Sequence, residues 1–340
     1  MLSASLFILP AAHAQDVHFS QFYESAPMRN PALTGIFTGD YKVAFNYRNQ
    51  WSSFATPFQT GMVSAETKAL MQANTGDFMS FGLTAVYDKA GSIDFASTAA
   101  YGAVNYNKAL GASHHTYLSG GFTGGYTQRS LNPAKMRFAN QFTGGAYNAA
   151  SATGESISTT TISHFDLGAG LSLSGATGRH ANFYIGAAAY HISQPRETYW
   201  GSELVRLTTR WSGNAGLYAA IGDRLGLALH VNYQYQAPYE ELIGGGLLSY
   251  RAQKQDDGKP VVVSAGCFYR LDDAVIPTIK LDYHKWAATF SYDVAMGASR
   301  PHLSGAGGWE ITTLLRGSYK RRQQPTGCPQ FELLDGVEGL

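Results

Sequence analysis

The stretch LGLALHVNYQY, residues 225–235, carries the pattern on which the prediction of the fold depends. Alternate positions hold leucine, valine and tyrosine, while the positions between them hold glycine, alanine, histidine, asparagine and glutamine. A period of two predicts a β-strand whose two faces meet different surroundings. The length of about ten residues, the aromatic end and the small or polar second face are typical of a strand in a transmembrane β-barrel.

Similar segments recur to the end of the chain. Residues 165–174 and 273–283, for example, place apolar side chains on one face and small or charged ones on the other. Candidate strands lie near 41–47, 57–66, 78–88, 94–108, 115–130, 162–174, 181–191, 211–222, 225–235, 243–251, 260–271, 273–283, 285–294 and 306–319. We therefore predict an all-β fold, a transmembrane antiparallel β-barrel of about 14 strands and of the outer-membrane type.

The composition favours this class over a soluble sandwich. Of the 340 residues, 44% are hydrophobic, 13% are aromatic and only 14% are charged, whereas an average globular protein has about 25% charged residues. A soluble jelly roll would need a charged exterior that this chain lacks. The net charge of +1 and the lack of basic runs argue against a nucleic-acid surface.

The spacing of the strands predicts an orientation. The longest gaps, 131–161 and 192–210, both follow an odd-numbered strand, and they would face outward if the mature N-terminus lies in the periplasm. Outer-membrane barrels have long extracellular loops and short periplasmic turns, which agrees with the short connection at 222–225. The gap 252–259 is fairly long although it would face inward, so the rule holds mainly for the extremes.

The ends of the chain suggest processing and soluble segments. Residues 1–14 resemble a signal peptide that ends in the small-x-small triplet AHA, although no Lys or Arg precedes its apolar core. Residues 15–40 are expected to form a periplasmic N-terminal segment, at the mouth of the barrel or inside its lumen. The barrel would span 41–320, and 321–340 would form a periplasmic C-terminal tail.

Polar side chains at inward positions are the candidate functional residues. Arg or Lys facing lipid at the membrane midplane costs about 2–4 kcal/mol, so such residues should face the lumen. The candidates are Glu66, Asp166, His230, Asn232, Gln234, Lys280, Asp282, Asp293, Glu310 and Arg316. They would form either a structural network of ion pairs or a permeation path or docking surface for a plug or partner.

Motifs of catalysis and metal binding are missing from the sequence. The ten histidines show neither HxH nor HExxH spacing, and no GxSxG or phosphate-loop pattern is present. The two cysteines, Cys267 and Cys328, do not form a metal-site or disulfide pattern. We therefore expect no enzymatic activity and no cofactor.

Several phrases together resemble one family, the PorP/SprF outer-membrane proteins of Bacteroidetes. They are QDVHFSQFYESAPMRNPALTG (15–35), YRNQW (47–51), YDKAGS (87–92), MRFANQF (136–142), YHISQP (190–195), FYRLDDA (268–274), SYDV (291–294), GGWEI (307–311) and CPQF (328–331). They cover nearly the whole mature chain in the order of the family. The chain departs from the family in the extension ELLDGVEGL after CPQF.

The resemblance implies a barrel of the type IX secretion and gliding machinery. Such a barrel would help to export or attach large secreted proteins such as adhesins, and would associate with periplasmic and outer-membrane components of that machinery and with lipid. It also implies docking candidates in the periplasm, namely Asn30, Pro31, Ala32, Cys328 and Pro329, and a tight outer turn at 88–91. The alternating pattern would fit a passive porin-like solute channel equally well, and a lipid hydrolase would need a Ser-His pair that we do not find.

Overall fold

The computed structural model describes residues 16–50, 57–70, 76–91, 93–111, 115–154, 159–177, 181–199, 205–252, 261–296 and 307–319. Sixteen strands lie in these ranges: β1 (Tyr41–Gln50), β2 (Phe58–Leu70), β3 (Phe78–Ala90), β4 (Phe95–Leu110), β5 (Thr116–Ser130), β6 (Phe142–Thr143), β7 (Ala146–Tyr147), β8 (Thr161–Thr177), β9 (Ala181–Tyr190), β10 (Arg210–Ile221), β11 (Leu225–Gln236), β12 (Tyr239–Arg251), β13 (Val261–Arg270), β14 (Ala274–Tyr283), β15 (Trp286–Ala295) and β16 (Gly307–Gly317).

Fourteen of the strands form one closed barrel, and β6 with β7 forms a separate small hairpin in the connection after β5. Each barrel strand pairs antiparallel with its neighbours in chain order, and β1 closes the barrel by pairing with β16 from Tyr41 opposite Gly317 to Gln50 opposite Gly308. Closure leaves no unpaired strand edge. The predicted antiparallel barrel of about 14 strands is confirmed.

The two faces of the barrel wall are the reverse of those in a soluble protein. In β11, Leu229 and Val231 are about 40% exposed on the outside, while Asn232, which points to the other face, is fully buried inside. The other strands repeat this arrangement, for example at Leu171, which is 64% exposed. An apolar exterior around a polar interior is what a barrel wall in lipid requires.

The helical structure is limited to short turns. An α-helical turn spans Ala26–Arg29, and 3-10 turns span Phe22–Glu24, Pro31–Leu33, Pro133–Lys135 and Ala139–Gln141. None of the helices among the described residues has the length and hydropathy to span a membrane.

The two ends of the barrel differ in the length of their connections. The end at which β1 finishes also carries the connections 131–160 and 191–209, and we call it the long-loop mouth. The end at which β1 starts carries tight turns such as 222–224 and 284–285, and we call it the short-turn mouth. The turn predicted at 88–91 is displaced, because residues 88–90 belong to β3; only Gly91, with a φ of +65°, lies in the connection to β4 at the long-loop mouth.

A charge on the apolar face should destabilise the barrel only where that face meets lipid. We expect Leu171→Arg, in β8, to lower the free energy of unfolding in lipid vesicles by about 2–4 kcal/mol. Val205→Arg is the matched control, because Val205 is also an exposed apolar residue but lies in the 191–209 connection; its effect should stay within about 0.5 kcal/mol. Equal effects in a urea titration would contradict a lipid-facing wall at Leu171.

Candidate functional site: the lumen and its plug

Residues 16–40 lie inside the barrel, and we call them the plug. Gln21, Asn30, Ala32 and Thr34 are completely buried although they precede the first strand. Two prolines, Pro27 and Pro31, each stand at the first positions of a short helical turn, where a missing N–H costs nothing. The segment therefore folds as a series of turns that fills the lumen instead of adding a strand to the wall.

The middle of the plug rests on glycines of the wall. A Cβ atom at Gly121 would lie 2.4 Å from the carbonyl carbon of Pro31, and one at Gly170 would lie 2.1 Å from the amide oxygen of Asn30. Such distances are far inside van der Waals contact, so only glycine permits this approach. Asn30 completes the contact by donating from Nδ2 to the carbonyl oxygen of Leu171 at 3.0 Å, while its Oδ1 accepts from the N–H of Ala32 at 2.9 Å.

A cluster of charges holds the plug near its start, and we call Ser20, Arg48, Arg270, Asp293 and Glu310 the Arg48 cluster. The Arg48 guanidinium lies 2.7 Å from Asp293 and 3.2 Å from Glu310, and Arg270 lies 3.3 Å from Asp293. Ser20 donates its N–H to Glu310 at 2.7 Å and its hydroxyl to Asp293 at 2.7 Å. A single plug residue thus satisfies carboxylates on two wall strands.

Ion pairs at the other end of the lumen involve the plug as well. Lys280 lies 2.7 Å from Glu24 of the plug and 4.0 Å from Asp282, which Arg316 contacts at 2.8 Å. All four side chains are buried. Charges removed from water are stable only when they are paired and hydrogen-bonded, so the plug supplies a partner that the wall needs.

Glu66 repeats this arrangement at the short-turn mouth. Its carboxylate lies 2.8 Å from Lys42 and accepts the backbone N–H of Gly35 in the plug at 2.9 Å. Lys68 donates to the carbonyl oxygen of Phe37, also in the plug. The wall and the plug therefore share polar contacts along the whole lumen.

The first described residue belongs to a second group, and we call Asp16, Arg129, Asp166, His191 and Arg210 the Asp16 cluster. Asp16 lies 2.5 Å from Nε2 of His191, 3.3 Å from Arg210 and 3.9 Å from Arg129. Nδ1 of His191 lies 2.7 Å from Asp166. The imidazole thus bridges a carboxylate of the plug and a carboxylate of β8.

The pKa values of Asp16 and His191 fit a charged pair. Burial lowers the pKa of His191, but attraction to Asp16 and hydrogen bonds with Asp16 and Asp166 outweigh burial and raise this pKa to about 9. Burial raises the pKa of the Asp16 carboxyl, yet His191 and Arg210 hold it well below its usual range. The contact therefore remains an ion pair between imidazolium and carboxylate at neutral pH.

The structure places the inward residues named from the sequence as follows. Glu66, Asp166, Asn232, Lys280, Asp282, Asp293, Glu310 and Arg316 are buried on the inner face of the wall. His230 stacks on Tyr23 of the plug with ring centroids 5.2 Å apart, while Gln234 is half-buried and lines the space at the long-loop mouth. Most of these residues meet the plug or its neighbours, and none of them stands in an open channel.

The docking assignment needs correction for three residues. The family resemblance implied a periplasmic docking surface at Asn30, Pro31 and Ala32, but all three are buried against β5 and β8 within the lumen. A partner could not touch them while the plug is in place. Cys328 and Pro329, the other docking candidates, lie outside the described residues.

Some participants were not identified from the sequence. Arg48 stands at an inward position of β1, in alternation with Val43, Phe45 and Tyr47, so the period of two could have found it. Ser20 and Asp16 had no such signal, because they precede the first strand and meet partners more than a hundred residues away. Only the folded structure brings them to the wall.

The plug leaves separate spaces in the lumen. A space of about 380 Å³ opens at the long-loop mouth beside His18, Gln234, Glu241 and Arg270, and we call it the vestibule. Two smaller spaces of about 90 and 80 Å³ lie beside the plug. Within the described part of the chain, no group of three or more His, Cys, Asp or Glu side chains is arranged to hold a metal ion.

A closed antiparallel barrel with an apolar exterior and a polar, filled interior defines a membrane barrel of the bacterial outer membrane. The family model for the type IX secretion system membrane protein PorP/SprF matches residues 11–314. The chain belongs to this family, which confirms the resemblance carried by its motifs. It is therefore a membrane protein of a secretion system and is located in the outer membrane.

Solved structures with the same fold are distant in sequence. The Ralstonia pickettii toluene transporter TbuX is 10% identical with a TM-score of 0.50, covering 86% of this chain and 92% of that one. A Pseudomonas aeruginosa FadL homologue is 11% identical with a TM-score of 0.50, covering 86% and 93%. The search of curated proteins finds no match. At such identities the solved structures show the fold alone.

Removing the central cation of the Arg48 cluster should destabilise the folded protein strongly. Arg48→Ala leaves two buried carboxylates without their main partner, and we expect a loss of about 3–5 kcal/mol in the free energy of unfolding. Lys135→Ala removes an exposed partner of Asp94 and should cost no more than about 1 kcal/mol. The measurement is the loss of heat-resistant electrophoretic mobility across a urea series. Similar midpoints for the two variants would show that the cluster does not stabilise the fold.

Proposed function

We propose that this chain is a non-enzymatic accessory barrel of the type IX secretion machinery that holds or guides a large secreted protein, such as an adhesin, at the cell surface. The observation that carries the proposal is the filled lumen. A protein that acts as a docking platform needs a rigid wall and exposed loops, whereas a porin needs a continuous aqueous channel. Membership in the secretion family supports the first of these roles.

The plug argues against passive transport of solutes through the lumen. It contacts β2, β5, β8, β14, β15 and β16 by the hydrogen bonds, ion pairs and glycine contacts described above. Removing it would separate many buried charges from their partners. A solute would therefore need the plug to move before it could pass.

The long-loop mouth offers the more suitable surface for a secreted partner. The connection 131–160 carries the β6–β7 hairpin, on which Phe142 is 54% exposed and its ring centroid lies 5.5 Å from that of Tyr147. Arg137 lies 4.7 Å above the Tyr147 ring. Exposed aromatic and arginine side chains are the residue types that most often dominate protein interfaces. We propose that the long-loop mouth faces outward. The short-turn mouth at the other end of the barrel would then face the periplasmic components.

The same proposal assigns roles to the ends of the chain. Residues 1–14 would be removed as a signal peptide, and residues 321–340 would form a periplasmic tail whose Cys328 and Pro329 remain docking candidates. Of the two placements expected for the N-terminal segment, the mouth of the barrel and its lumen, the proposal takes the lumen, where most of residues 16–40 are buried.

Purification from outer membranes tests the proposed role. The tagged barrel should recover secretion components together with a large surface protein. The double variant Phe142→Ser, Tyr147→Ser should lose the surface protein but keep the secretion components, since it alters only exposed side chains of the hairpin. Val205→Ser is the matched control at the same mouth and should keep both. Repeated recovery of the barrel alone would contradict the proposed role in secretion.

Conductance separates the docking barrel from the porin. In a planar bilayer the full-length protein should stay silent or nearly so, because the plug fills the lumen. A steady, large conductance from the unmodified protein would favour the passive porin-like channel and overturn the docking role. The folded state of the sample is checked beforehand by its heat-resistant mobility on a gel.

A further inference from the structure

The plug begins at the long-loop mouth. Asp16, its first described residue, contacts Arg129 at the end of β5, His191 directly after β9 and Arg210 at the start of β10. In an antiparallel barrel these three positions lie at the same end. Two residues further on, His18 lines the vestibule beside Glu241, which belongs to the start of β12 and thus to the same mouth.

The plug finishes at the opposite mouth. The N–H of Asp40 donates to the carbonyl oxygen of Gly317 at 2.7 Å, and the carbonyl oxygen of Asp40 accepts from the backbone N–H of Lys68 at 2.9 Å. The carboxylate of Asp40 also accepts the N–H of Tyr319 at 2.8 Å. Gly317 ends β16 and Tyr41 starts β1, so Asp40 lies at the short-turn mouth.

Contacts between these ends follow the length of the lumen. Ser20 and Gln21 meet Glu310 in the half nearer the long-loop mouth, whereas Glu24 meets Lys280 nearer the other mouth. Asn30 lies beside the middle of β8, and Gly35 reaches Glu66 close to the short-turn mouth. The plug doubles back once on the way, because Tyr190 at the end of β9 donates to Pro27.

We infer that the N-terminal segment passes through the barrel from one mouth to the other, so that the chain before residue 16 leaves at the long-loop mouth. After removal of the proposed signal peptide, the mature amino terminus would be presented there, beside the vestibule, and not in the periplasm as expected from the sequence; only the start of β1 would face the periplasm. The path rests on the positions of Asp16 and Asp40, the placement of the mature terminus rests in addition on the proposed signal peptide, and neither depends on the role in secretion.

The two ends of the plug are attached to the barrel in different ways. At the short-turn mouth the plug continues covalently into β1, so that end cannot leave the wall. At the long-loop mouth it is held by non-covalent contacts of the Asp16 cluster. A partner that occupies the long-loop mouth therefore meets the free end of the plug, and withdrawal of the plug has to begin there.

Cysteine labelling tests the path in living cells. Asp16→Cys and Asp223→Cys are built in a background with Cys267→Ser and Cys328→Ser, and cells are exposed to a charged, membrane-impermeant maleimide. Asp223 lies in the 222–224 turn of the short-turn mouth and is exposed, which makes it the matched control for the opposite side. Asn148→Cys, in the exposed 131–160 connection, marks the long-loop side.

The result expected is that Asp16→Cys shares the labelling of Asn148→Cys and differs from that of Asp223→Cys. With the orientation proposed above, the first two react in intact cells and the third reacts only after permeabilisation. If all three assignments are reversed, the orientation is wrong but the path stands. Labelling of Asp16→Cys together with Asp223→Cys overturns the path, and an Asp16→Cys that reacts from neither side is decided by the tagged variant below.

A second variant covers the case in which Asp16→Cys does not fold. A short epitope tag inserted between Gln15 and Asp16 leaves the Asp16 side chain intact, and a tag between Gly144 and Gly145 serves as the long-loop reference. Both should bind antibody on the same side of the membrane. An N-terminal tag that binds only from the side of a tag placed after Gly222 contradicts the inference.

Discussion

Backbone hydrogen bonding in lipid is the constraint on which the structure depends. Water is absent from the bilayer core, so every N–H and C=O group of a membrane-spanning strand has to find a partner within the protein. The pairing of β1 with β16 completes the ladder for all fourteen strands. Successive side chains of a strand point to opposite faces, so closing the barrel turns every second side chain into the lumen. Polar side chains there need hydrogen-bonding partners of their own.

The plug supplies partners for the polar side chains that face the lumen. Glu310, Asp293, Lys280 and Glu66 are buried, and each of them contacts the plug. Pairing within the wall also contributes, as between Arg316 and Asp282. The two readings of the inward residues, an ion-pair network or a docking surface for a plug, are therefore not alternatives. The same side chains form a network and hold the plug through it.

The sequence predicts the wall far better than the plug, and the reason is physical. Wall strands repeat a local period of two, so Leu229 and Asn232 reveal their surroundings from their neighbours in the chain. The same rule could have found Arg48, which was not among the inward residues named from the sequence. Asp16 and Ser20 meet side chains far along the chain through polar contacts that follow no period. The family motif at 15–35 marked the plug as a distinct segment. The resemblance nevertheless implied periplasmic docking for Asn30, Pro31 and Ala32, because a motif gives residue types and not their positions in the fold.

The contacts of the plug also indicate which part of the molecule can move. The strand pairings that close the barrel begin at Tyr41, and among residues 16–40 the backbone of Asp40 extends them by hydrogen bonds to Gly317 and Lys68. The rest of the plug is held mainly by side-chain hydrogen bonds and ion pairs, and by close packing against wall glycines such as Gly121. If it withdrew, water entering the lumen would hydrate the charges it leaves, which lowers the cost of separating them. We therefore expect local opening of such a segment to require less free energy than unfolding of the wall.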